Sequence, residues 1–97
     1  MRLVIVPAAL DELTEAAAFY SSRGGVELAR ALVAEFERAT TLLLSSPNLG
    51  AAWRNGRRRY RLRRFPFWLI YDLVPNELRV IALAHQRRRP EYWRGRK

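Results

Sequence analysis

At 97 residues, 49% of them hydrophobic, the chain fits one compact domain over residues 1–97 and has no room for a second core. It has no cysteine, which excludes a disulfide framework and a thiolate metal site and suits a reducing compartment. The net charge of +9 is unevenly placed: residues 1–53 carry four basic and six acidic groups, residues 54–97 fourteen basic and three acidic.

The positive charge thus belongs to the second half, a pattern that points to a polyanionic partner, either nucleic acid or an acidic protein segment. Seventeen of the 18 basic residues are arginine. Bidentate recognition of phosphate or carboxylate accounts for that, and so does a compositional bias of the source genome. The longest apolar runs, Leu3 to Leu10 and Phe65 to Tyr71, fall well short of the roughly 20 residues that span a bilayer. The N-terminus shows no signal-peptide cleavage pattern, so the expected location is cytoplasmic.

Arg2 to Val6 is a short apolar, β-branched run that predicts a buried strand, and Pro7 ends it. A helix is predicted from Ala8 to Ser22, with Leu10, Leu13, Ala17 and Tyr20 as its apolar stripe and Asp11, Glu12 and Glu15 placed where the helix dipole favours negative charge. Gly24-Gly25 breaks it. A second helix follows from Val26 to Ser45, its stripe being Val26, Ala29, Val33, Phe36 and Leu43. The short link between them implies an antiparallel helical hairpin.

Ser45-Ser46-Pro47-Asn48-Leu49-Gly50 supplies stop and loop signals, and residues 47–57, with Trp53, read as an irregular connection. From Arg58 the period becomes two: Tyr60 and Leu62 alternate with Arg59, Arg61 and Arg63, giving an apolar face and a guanidinium face. Phe67 to Leu73 is continuous enough for a central strand covered on both sides, with Trp68 in the core. Pro75-Asn76 makes a tight turn, and Leu78 to Ala84 completes a hairpin. The order β-α-α-β-β-β predicts an α+β fold, a helical hairpin on one face of a small, largely antiparallel sheet whose other face carries much of the arginine.

A single histidine and scattered carboxylates give no metal-ligand cluster, and Gly24-Gly25 lacks the lysine of a phosphate loop. Every serine lies at a helix end, away from His85. No cofactor is expected. The arginine strand reads either as a phosphate-binding row or as a charged edge that blocks sheet-to-sheet association. The last fourteen residues, Ala84 to Lys97, hold the only histidine and six of the basic groups. Within them, Trp93 either stacks on a nucleic-acid base or folds back to pin the C-terminus. His85 is either a strand-end residue bonded to backbone or, with Arg87 and Tyr92 or Glu91, part of an acid–base set for RNA cleavage.

In order and spacing these residues resemble the RelE/ParE superfamily of toxins from type II toxin-antitoxin modules, over nearly the whole chain and closest to the ParE branch. The resemblance rests on Ala9-Leu10-Asp11-Glu12-Leu13 and Phe19-Tyr20, Ser46-Pro47 with Gly50, Arg64-Phe65-Pro66-Phe67 leading into Ile70-Tyr71, and Ala84-His85-Gln86-Arg87-Arg88-Arg89-Pro90-Glu91-Tyr92-Trp93. It implies one of two activities. ParE-type members inhibit DNA gyrase, and RelE-type members cleave ribosome-bound mRNA. The endonuclease alternative would use His85, Arg87 and Tyr92, but Trp68 stands where RelE-type nucleases place an essential arginine. Loss of that cation removes transition-state stabilisation of several kcal/mol, unless Arg61 or Arg63 supplies it. The ParE reading needs only a displayed target-binding surface, here Arg59, Arg61, Arg63, Arg87, Arg88, Arg89, Tyr92 and Trp93. The resemblance also implies a cognate antitoxin, with a DNA-binding N-terminal dimer and an acidic amphipathic C-terminal segment. Leu13, Tyr20, Val33, Phe36 and Arg58 are the residues expected to receive that segment.

Overall fold

A computed structural model describes residues 1–89 and 91–96; Pro90 and Lys97 of the C-terminal motif lie outside the described residues. Strand β1 (Arg2–Ile5) leads into helix α1 (Pro7–Gly24), with proline in its first turn. Gly25, at φ 88°, turns the chain into α2 (Val26–Ser45). Then come a two-residue strand β2 (Ala51–Ala52), a 3₁₀ turn (Arg54–Gly56), β3 (Arg58–Arg61), β4 (Phe67–Val74) and β5 (Glu77–His85). The five strands lie in the order β1-β5-β4-β3-β2, with β1 parallel to β5 and the other pairs antiparallel. This is the α+β architecture expected, with β2 added inside the connection read as irregular.

The pleat assigns the side chains to two faces. Tyr60, Leu69, Tyr71, Leu78 and Val80 share the helix-covered face, where Arg38 of α2 reaches the Tyr60 hydroxyl at 3.0 Å. A register shift between Ile70 and Tyr71 leaves Ile81 as a bulge, so Leu83 returns to the same face as Val80. The opposite face carries Arg59, Arg61, Trp68, Ile70, Asp72, Ala82 and Ala84. Arginine therefore does gather away from the helices. Trp68 lies on that face and is only half-buried rather than a core residue.

The helices keep part of the stripes the period suggested, Leu13 and Tyr20 on α1 and Phe36 and Leu43 on α2, and exchange the rest. On α1 the inner positions are Ala9, Leu13, Ala16 and Tyr20, and Leu10 is exposed; on α2 they are Leu28, Leu32, Phe36, Ala39 and Leu43, and Val26 is exposed. Tyr20 packs edge-on against Phe65, their centroids 5.3 Å apart, tying α1 to the turn between β3 and β4. Asn76 takes φ 63° in the turn between β4 and β5, a left-handed conformation that asparagine tolerates.

Candidate functional site: the basic face and the C-terminal turn

The face turned away from the helices is crossed by the C-terminal residues, which form a turn over Glu91–Gly95 rather than a solvated tail. Two clasps hold this turn. The first is Arg57, a buried arginine whose Nε donates to both Asp72 carboxylate oxygens at 3.3 Å. Its Nη1 donates to the Trp93 and Arg94 carbonyls, and Nη2 to the Arg96 carbonyl. Its guanidinium lies 5.3 Å from the centre of the Trp93 ring. One guanidinium thereby joins β4 to three carbonyls of the turn, which is the geometry that five fixed donors allow. Trp93 is only 2% exposed. Of its two sequence placements, the fold realises the one that pins the C-terminus.

The second clasp centres on Glu12 of α1. Strand β1 covers β5 only from Glu77 to Val80. Beyond it, Glu12 Oε1 accepts the Leu83 N–H at 3.1 Å, and Arg96 Nη1 donates to the Ile81 carbonyl at 3.2 Å. The two side chains bond each other at 2.8 Å. Together they satisfy backbone groups that an adjacent strand would otherwise take. Glu12 Oε2 also accepts the Tyr92 hydroxyl at 2.5 Å. The sequence suggested a helix-dipole role for Glu12; its contacts show it closing the sheet edge instead.

The residues of the possible nuclease set are engaged. His85 Nδ1 accepts the Arg87 N–H at 3.1 Å, and Phe67 stands edge-on to the ring. This is the strand-end, backbone-bonded arrangement. Burial, and next the Glu12 carboxylate it donates to, push the Tyr92 hydroxyl pKa well above the usual tyrosine range, which disfavours tyrosinate and keeps the proton on the Tyr92 oxygen, directed at Glu12. Arg87 is exposed. Among the described residues, no group of three or more histidines and carboxylates is placed to hold a metal.

The arginines of the β3 region divide sharply by partner. Arg58 Nη1 donates to the Asn48 and Gly50 carbonyls at 3.2 and 2.7 Å, so it braces the loop after α2. Arg61 donates to the Phe65 and Phe67 carbonyls and to Gln86 Oε1, bracing the turn between β3 and β4. Arg61 keeps its charge, but its Nη1 and Nη2 donors are committed to these acceptors. Arg63 lies beyond the end of β3, exposed, with its backbone N–H bonded to Glu35 at 2.7 Å.

Arg59 differs from all of these. Its guanidinium is 3.5 Å from the centre of the Trp53 ring and 4.1 Å from that of Trp68. Its Nε is buried without an acceptor. Trp53, from the connection before β3, covers Arg59. Arg88 stacks similarly on Tyr92, at 4.0 Å. Arg88 and Arg89 are exposed.

On the helical hairpin, Phe36 is 3% exposed. Expected at the antitoxin surface, it belongs to the core, on the buried face of α2 with Leu32, Ala39 and Leu43. Leu13, Tyr20 and Val33 are half-buried, and Val33 borders a groove between the helices with Ala17, Ala29 and Ala34. Leu10 and Phe19 remain exposed on α1. Among the described residues, no helix is long and apolar enough to cross a membrane.

A small α+β domain with a helical hairpin on one sheet face and a basic, aromatic face on the other defines the class. Its fold aligns with a solved structure described as the chromosomal ParDE TA system from P. aeruginosa, at TM-score 0.78 and 23% identity, covering 88% of this chain and 95% of that one. Residues 3–90 match the model of the family described as "ParE toxin of type II toxin-antitoxin system, parDE". The chain belongs to that family. Among curated proteins no relative is found.

Proposed function

We propose that this toxin inhibits DNA gyrase in the cytoplasm, and that a cognate antitoxin neutralises it through an acidic C-terminal segment. The observation that carries the reading is the contrast on the sheet face. Arg59, Arg88 and Arg89 have no carboxylate partner among the described residues, while His85 and Tyr92 are bonded into the scaffold. A surface that displays cations while Nδ1 of its histidine and the hydroxyl of its tyrosine are committed to the scaffold suits recognition better than phosphodiester cleavage. The endonuclease alternative, with ribosome-bound mRNA as target, loses support for the same reason and for the indole at Trp68.

The antitoxin segment fits the hairpin side, where Leu13, Tyr20 and Val33 border exposed Leu10 and Phe19. Arg58 contributes there by holding the Asn48–Gly50 loop. A supercoiling assay with purified protein tests the target: gyrase should stall with cleaved DNA, and the antitoxin should reverse it. Undisturbed supercoiling together with cleavage of ribosome-bound message would overturn the reading in favour of the alternative.

A further inference from the structure

Arg57, Arg58 and Arg61 each give their guanidinium to protein acceptors, yet Arg59 between them gives its to none among the described residues. Two indoles hold it instead, at 3.5 and 4.1 Å. The stack continues on both sides, since Arg54 lies 5.1 Å from the Trp53 ring and Arg61 5.8 Å from the Trp68 ring. Stacking fixes the plane of a guanidinium without consuming its in-plane N–H groups. Arg59 is therefore an oriented, partly desolvated cation with unused donors.

Arg59 borders a cleft of about 180 Å³ that Arg88, Arg89 and the aromatic side chains of the C-terminal turn also line. The one carboxylate on the cleft, Glu91, is taken by Arg54 at 3.1 Å and Asn55 at 3.3 Å. Positive charge is thus uncompensated where the aromatic surface is greatest. A carboxylate would match one guanidinium. Several unpaired guanidiniums around one narrow cleft better match the repeated phosphates of a strand whose bases can lie against the rings.

We propose that this cleft binds a phosphate of single-stranded nucleic acid, with Arg59, held by Trp53 and Trp68, as the central ligand. Bases can lie against these rings only when they are unpaired, so the strand is single there. The site does not depend on gyrase being the target, since the purified toxin alone should bind.

The test is fluorescence anisotropy with labelled oligo(dT) and oligo(U), a duplex of equal length, and polyglutamate as competitor. In the wild-type protein, the Trp53 and Trp68 indole N–H resonances should shift on adding either single strand, a readout that needs no variant. Arg59→Gln and Arg59→Lys should each weaken single-strand binding by about tenfold or more, because lysine keeps the charge but loses the fork. Arg30→Gln, on the exposed surface of α2, removes one charge elsewhere and should leave the affinity near wild type. Binding of only one of the two, with the indole shifts confined to that strand, would still support the site and show that it discriminates strands differing in the 2′-hydroxyl and the thymine methyl. The proposal is overturned by unmoved indole resonances, by Arg59 variants that bind as wild type, by an equal loss in Arg30→Gln, or by polyglutamate competing as well as the strands do.

Discussion

Tyr71 is fully buried at the centre of the sheet, yet its hydroxyl has two partners on the loop that leaves α2: it donates to the Pro47 carbonyl at 2.7 Å and accepts the Gly50 N–H at 3.0 Å. Burial, the larger effect, pushes its pKa up despite that N–H. The close approach explains Gly50, because a Cβ there would sit 2.5 Å from the Tyr71 hydroxyl and 2.9 Å from the Arg59 carbonyl. Gly50→Ala should therefore cost about 1–3 kcal/mol in denaturant unfolding through overpacking, and an unchanged midpoint would show that the loop relaxes freely. Glu35 supplies the pH dependence. The Arg38 fork, at 2.7 Å, lowers its pKa most, the opposing effect of burial is next, and the Arg63 N–H lowers it further. A carboxyl lowered on folding stabilises the protein above its unfolded pKa, and that contribution fades as pH falls through the folded value. With Arg38 about a third exposed at 31%, solvent screening limits it to roughly 1 kcal/mol. Thermal melts should show an acid-side decline below about pH 4.5 that is shallower in Glu35→Gln, whose neutral-pH stability is lower.

Among the elements, the C-terminal turn depends most on contacts distant in sequence. Replacing Arg57 by Gln removes the fork between Asp72 and the carbonyls of residues 93, 94 and 96. The expected loss is about 2–3 kcal/mol, concentrated in the turn. Hydrogen exchange should accelerate at the Arg94 and Arg96 amides, which bond within the turn, while β4 and β5 stay protected; equal protection in the variant would mean that the Glu12 clasp and the packing of Trp93 hold the segment without Arg57. This dependence marks the boundary of what the sequence makes legible. Helical period, strand alternation and turn residues are local signals, and they located both helices, β1 and the β3 to β5 strands within a few residues. The same signals misjudged part of each helical stripe, because a stripe through Leu10 or Val26 says nothing of how closely Ala9 and Leu32 approach the sheet. Strand β2 is two alanines and carries no periodicity at all. The clasps were invisible for a related reason. Glu12 meets Leu83, Tyr92 and Arg96 across more than 70 positions, and no spacing rule connects them. Arg59 is a milder case: its strand face was legible, but its release from protein acceptors is a contrast with Arg57, Arg58 and Arg61 that only coordinates reveal.

Over the whole molecule, charge and apolar surface are separated by the sheet. The hairpin side belongs to the acidic first half of the chain, and the opposite face to the strongly basic second half. The net charge of +9 would nevertheless attract an acidic antitoxin segment at long range, before it reaches its apolar contacts on the hairpin side. Long-range attraction between net charges accelerates encounter and is screened within about 10 Å at 0.1 M salt, whereas apolar burial is not screened. Association should accordingly be governed by ionic strength and dissociation by packing. In stopped-flow mixing of the toxin with its antitoxin, the association rate should fall about tenfold or more between 0.05 and 0.5 M salt, with the dissociation rate changing much less. Phe19→Ala, which trims an exposed anchor on α1, should do the reverse: it should speed dissociation and leave the salt dependence of association intact. A dissociation rate that rises with salt as steeply as association falls would mean that ion pairs, rather than the hairpin's apolar residues, hold the complex together.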